Sequence, residues 1–369
     1  MSSSLFQAYT LGPISLKHRV VLPPLARYKI DAAHVPLLPL VKEYYTQRAR
    51  TQGTLLIAEA TIIAAKAGGY PMPGIWNQDQ IRAWKEVTDS VHAKGSFIFL
   101  QILALGRNAM LSVLRNEDPS FELVGPSTIP VAADREDKPR ALTVAEISEY
   151  VELFAQAARN AIEAGFDGVE IHGANGCLVD QFLQDVSNDR TDDYGGSIEN
   201  RARFPLSVLK AVSQAISEER TSIRFSPWNQ FGGMGMADPI PTFCYVISEI
   251  KRLHPKLAYL HLIEPRINAD ATAETTAENA AQSNEVFFNL WGDRPLIVAG
   301  GCTRECAMKL AAERANVLVC FGRHFLANPD LPLRLEKNIP LNPYDRSTFY
   351  LAMQNDPKGY TDYPFAEVA

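Results

Sequence analysis

The chain has 369 residues, 46% apolar and 21% charged, which allows a large core and sets it apart from disordered chains. A net charge of −6 with no run of lysine or arginine argues against a nucleic-acid or anionic-membrane surface. No apolar run approaches the ~20 residues that span a bilayer. The opening "MSSSLFQAYTLGPISLKHRV" lacks a basic region followed by an apolar core, so no secretory leader is expected and the cytoplasm is the expected compartment.

Short aliphatic runs recur along the chain. "RVVLPPLA" (19–26) leads into Arg27 and Tyr28, "GTLLIAEA" (53–60) ends on Glu59 and Ala60, and "FIFLQIL" (97–103) carries Gln101. The following segment, about 107–140, holds Pro119, Pro126, Pro130 and Pro139 and is too long for a simple strand–helix connection. It reads either as a structural insertion or as a lid over the pocket. A helix is predicted from Thr143, which has capping-box spacing to Glu146, and Gly165 suits the position past its end. "GVEIHGANGCLVDQF" (168–182) then brings His172, Asn175 and Cys177, and "TSIRFSP" (221–227) brings Arg224. "YLHLIEP" (259–265) precedes an alanine- and threonine-rich stretch (268–282), expected to be a surface loop leading into a helix. "PLIVAGG" (295–301) is followed by a helix at "TRECAMKLAAERA", and the last run is "NVLVCFGR" (316–323).

Near-continuous apolar strands imply burial on both faces, as in parallel sheets. Alternation with helices eight times predicts an α/β fold, a (β/α)8 TIM barrel forming one domain over 1–369, with the excursion after strand three across its mouth. No G-x-G-x-x-G follows the first strand, which disfavours a doubly wound sheet. The five cysteines (Cys177, Cys244, Cys302, Cys306 and Cys320) are expected as free thiols. The C-x3-C of Cys302 and Cys306 lacks the partners of a tetrahedral metal site, so no metal is expected.

In such a barrel the chemistry sits at the C-terminal strand ends. Glycines after strand seven, with Gly322 and Arg323 after strand eight, suit a phosphate, the arginine adding a charge-assisted contact. Arg224, with no acid in its own strand, needs an anionic or permanent acceptor; the reduced flavin ring is one, and a structural ion pair is the other reading.

"SNDRTDDYGGSIENRARF" (187–204) resembles the signature of the old yellow enzymes, FMN-dependent ene-reductases. The resemblance extends through "LKHRVVLPPLAR", "EYYTQRA", "AGGYPMPGIW", "FGRHFLANPDLPLRLEKNIPLNPYDRSTFY" and "GYTDYPF". It implies an FMN-holding barrel with NADPH as reductant, a small α,β-unsaturated carbonyl as substrate, and a monomer or homodimer. By motif, Pro24, Leu25, Ala26 and Ala60 would border the flavin, and Gln101 would bond its pyrimidine side. Arg224 would face N1 and O2, and Gly301, Gly322 and Arg323 would hold the phosphate. Phe349 and Tyr350 would line the cofactor and the pocket mouth. His172 and Asn175 would grip the substrate carbonyl and stabilise the developing enolate oxygen.

Three departures from the pattern stand out. Ala26 replaces a threonine that commonly bonds flavin O4, and Leu103 replaces a tryptophan of the pocket wall. Cys177 replaces the tyrosine that protonates the substrate α-carbon. The thiol reads as a substitute acid, as a nucleophile, or as a small pocket residue with Tyr28 or water as proton source. The resemblance is to a fungal branch of secondary metabolism in which this tyrosine is sometimes missing. Net reduction is the leading expectation; a redox-neutral isomerase or cyclase, or a flavin-binding protein without ene chemistry, are the alternatives.

Overall fold

The computed structural model describes residues 3–265, 267–268, 271–272 and 282–367. Eight parallel strands close into a barrel in chain order: β1 (Val20–Leu22), β2 (Leu55–Ile62), β3 (Phe97–Leu103), β4 (Gly168–Gly173), β5 (Thr221–Phe225), β6 (Tyr259–Ile263), β7 (Leu296–Ala299) and β8 (Val317–Cys320). Pairing of Val319 with Val20 and of Cys320 with Val21 joins β8 to β1. All residues of these strands except Phe97 are buried, which is why the runs read as continuously apolar. The predicted first strand is longer than β1 because Pro23 and Pro24 have no N–H to continue the ladder. In β2 the register to β3 shifts between Ala58 and Thr61, so Glu59 and Ala60 sit in a bulge at the strand's C-terminal end.

The helix Val144–Glu163 starts at Thr143 with both capping-box bonds formed. It ends before Gly165, whose φ of +87° and a Cβ that would lie 2.7 Å from Thr88 Oγ1 require glycine. Thr303 caps the helix Arg304–Glu313. There Cys302 and Cys306 form a disulfide, which corrects the expectation of five free thiols: the first helical turn brings their Cα atoms to 5.5 Å. Cys177, Cys244 and Cys320 are free. Most of 268–282 lies outside the described residues. Among the described residues no helix is long and apolar enough to cross a membrane.

The excursion after β3 contains a turn at Gly106–Asn108, the helix Leu111–Glu117 and a small sheet of Val124–Gly125 with Arg140–Ala141. The buried Arg107 guanidinium donates to the carbonyls of Ile129, Pro130, Gly232 and Gly233. It therefore ties the excursion to the loop after β5. The C-terminal segment is fastened likewise: Arg27 donates to the carbonyls of Thr348, Phe349 and Gly359, and Arg48 to those of Leu326 and Tyr360.

Candidate active site

The C-terminal strand ends open into a cavity of about 750 Å3, within the roughly 300–1,000 Å3 typical of ligand pockets. Pro24, Leu25, Ala26 and Tyr28 reach it from β1, and Ala60 from the β2 bulge. Gln101, His172, Asn175, Cys177 and Arg224 line it from β3, β4, β5 and the turn after β4. Gly301, Gly322 and Arg323 line it from the segments after β7 and β8, and Phe349 and Tyr350 come from the C-terminal segment. Leu103 is the exception: it packs into the hydrophobic core, and Leu105 lines the cavity after the strand has ended. Sequence reasoning missed Asn108, Val131 and Arg135, which the excursion supplies, and Phe231, from the loop after β5.

His172 accepts a 3.3 Å hydrogen bond at Nδ1 from the Ala174 N–H, since a backbone N–H can only donate. The ring proton therefore sits on Nε2, which has no partner among the described residues. Burial, with the Arg224 charge beside it, pushes the ring's pKa down to about 3, so His172 is a neutral donor. Asn175 adopts φ +54°, a left-handed conformation that asparagine tolerates better than most residues. Its N–H donates to Ser226 Oγ at 2.9 Å, and its Oδ1 accepts from Asn229 Nδ2 at 2.6 Å. That leaves Asn175 Nδ2 as a second donor for the cavity.

Cys177 is buried and precedes the helix Leu178–Leu183. Burial, reinforced by the Asp180 carboxylate, pushes its thiol well up, so no thiolate is available for attack on an enal. Tyr28, at φ +57°, faces Tyr350 with ring centroids 5.9 Å apart. Burial and its neighbours Tyr350, Tyr70 and Glu59 push the Tyr28 phenol up to about 12, so it keeps its proton.

Beneath the cavity lies a buried polar network. Gln101 Nε2 donates to Glu170 Oε1 at 2.7 Å, and His261 Nδ1 meets Glu170 Oε2 at 2.8 Å across β5. Burial works against ionising Glu170, yet His261, Arg224 and Gln101 hold its carboxyl below the usual carboxylate range. Glu170 is thus the counter-charge to Arg224, and it comes from the neighbouring strand. A glutamate and a histidine in the middle of otherwise apolar strands were the available signals.

These residues fit FMN. Arg224 Nε is buried with no protein partner among the described residues, as expected of a donor kept for a ligand acceptor. The bond to Glu170 uses the Gln101 amide nitrogen and leaves its oxygen as an acceptor. Gly300 and Gly301 have φ of +143° and +64°, and a Cβ on Gly300 would lie 2.6 Å from Glu264 Cβ. The turn after β7 therefore requires glycine, and both glycines line the cavity.

Asp180 gives a pH signature. Burial raises its carboxyl to about 7, despite bonds from the Gly176 N–H and Gln184. The native state thus holds a proton that the unfolded chain, with a carboxyl pKa of about 3.9, releases earlier. This stabilisation is complete below about pH 4 and is lost as pH rises through about 7. Asp180→Asn cannot lose it, so the variant's Tm relative to the parent is expected to rise between about pH 5 and about pH 8. A pH-independent difference in thermal unfolding would contradict the assignment.

Comparison with known proteins agrees with this geometry. The model of the NADH:flavin oxidoreductase / NADH oxidase family matches residues 4–342. NADP-dependent oxidoreductase lnbE of Aspergillus flavus is 48% identical, over 100% of this chain and 98% of that protein. Chanoclavine-I aldehyde reductase fgaOx3 of Penicillium roqueforti is 49% identical over 99% and 97%. Probable inactive reductase easA of Epichloe festucae var. lolii is 46% identical over 99% and 96%. The old yellow enzyme of Pichia sp. AKU4542 superposes with a TM-score of 0.90 at 33% identity, covering 100% of this chain and 95% of that one. The chain belongs to the NADH:flavin oxidoreductase / NADH oxidase family, as an FMN-dependent old yellow enzyme.

Proposed function

We propose that the chain reduces the C=C bond of an α,β-unsaturated aldehyde or ketone at the expense of NADPH, in fungal natural-product metabolism, with Cys177 not serving as the acid. The observation carrying this reading is the pair of fixed donors, His172 Nε2–H and Asn175 Nδ2–H, in the same cavity as the Arg224 and Gln101 flavin seat. FMN, held by Arg224, Gln101, Gly301 and Arg323, would supply the hydride chemistry, with NADPH as the reductant. His172 and Asn175 bind the carbonyl oxygen and stabilise the negative charge that develops there. Because His172 is neutral above about pH 3, its donor is present across the working range and adds no pH-rate limb near neutrality. The α-carbon takes its proton from Tyr28, whose phenol stays protonated, or from water. A relative named as an aldehyde reductase supports an aldehyde as the activating group.

The short Cys177 thiol also favours a second reading, redox-neutral isomerisation, because a substrate enolate without a nearby acid persists longer. Anaerobic NADPH should bleach the yellow protein, and an enal (an α,β-unsaturated aldehyde) should restore the colour. Bleached protein that no enal or enone recolours would leave only a flavin-binding role, in keeping with the relative named probable inactive reductase.

A further inference from the structure

We propose that Asn229 is a positioning residue that sets which atom of Asn175 faces the substrate; this rests on the reading of His172 and Asn175 as a carbonyl clamp. Asn229 is 4% exposed, lies in the turn after β5, and is not part of the cavity lining. The Phe231 N–H donates to Asn229 Oδ1 at 2.8 Å. A backbone N–H cannot accept, so the Asn229 amide oxygen must point to Phe231 and its nitrogen away from it. There Nδ2 meets Asn175 at 2.6 Å, and the atom that receives an N–H must be Oδ1. Donor–acceptor accounting thus runs from one backbone N–H, through Asn229, to the clamp: Asn175 Nδ2 has to face the cavity.

The anchor at the start of this chain is itself held. Arg107 donates to the carbonyls of Gly232 and Gly233, immediately after Phe231, and a Cβ on Gly233 would lie 2.3 Å from the Val131 oxygen. The Ser226 hydroxyl fixes the Asn175 backbone separately and leaves the amide orientation to Asn229. Without Asn229 the Asn175 amide can invert and present its carbonyl oxygen, which repels a developing oxyanion.

The test uses FMN-loaded protein and a phenol acidic enough to remain ionised, pentafluorophenol, whose oxyanion on an sp2 carbon resembles an enolate. Its binding is read from the perturbed flavin absorbance and needs no turnover. Asn229→Ala is expected to weaken the phenolate about tenfold. Asn229→Ser, whose hydroxyl can keep the Phe231 bond but is too short for Asn175, should lose as much, with FMN content and Tm held. In an Asn175→Ala background, Asn229→Ala should cost less than about twofold more. Unchanged affinity in both Asn229 variants, or losses that multiply in the double variant, would overturn the proposal. Parent protein that binds no phenolate overturns the clamp and the proposal together. Parent protein that shows these shifts yet turns over no enal removes only the proposed reaction.

Discussion

His172→Ala combined with Asn175→Ala is expected to abolish enal turnover while the protein stays yellow. Loss of one preorganised oxyanion donor typically costs about 10²–10³ in kcat, so loss of both should reach at least about 10⁴. The effect is large because both donors are fixed before substrate arrives: His172 by the Ala174 N–H, Asn175 by Asn229. Flavin should remain because Arg224, Gln101, Gly301 and Arg323 supply its proposed seat. The ratio of FMN to protein, measured beside kcat/KM for an enal, separates the two effects. Turnover close to that of the parent would remove the oxyanion role.

Cys177→Tyr is expected to raise ene-reductase turnover by about tenfold or more, since a positioned general acid contributes about 10²–10⁴. Cys177 already sits on the cavity wall two residues beyond the clamp asparagine, but its sulfur lies one bond from Cβ, whereas a phenol oxygen reaches across a ring. If the variant gains nothing while Tyr28→Phe loses most of the activity, Tyr28 already supplies the proton. If neither variant changes the rate, protonation comes from solvent or does not limit turnover.

The barrel was legible because each strand is buried on both faces and leaves an uninterrupted apolar run, with polar residues at one end. That end-of-strand rule found Gln101, His172, Asn175 and Arg224. It could not find Glu170 and His261, which lie in mid-strand and meet across β5 only once the barrel has closed. Arg224 was therefore recognised as needing an anion while its counter-charge, one strand away, went unseen. Motif likeness placed Leu103 on the pocket wall, but a matched position does not fix where a side chain packs, and Leu105 lines the cavity instead. Asn229 and Phe231 act through loop bonds that no periodicity signals, and the Cys302–Cys306 bond depends on how the first turn of one helix is set.

The most direct test of the proposed reaction is NADPH consumed per molecule of product, measured anaerobically with an enal substrate so that oxygen cannot drain the reductant. Reduction of the C=C bond predicts one NADPH for each saturated product. Product formed with catalytic or no NADPH consumption, and with the substrate's mass unchanged, would contradict net reduction and establish an isomerase.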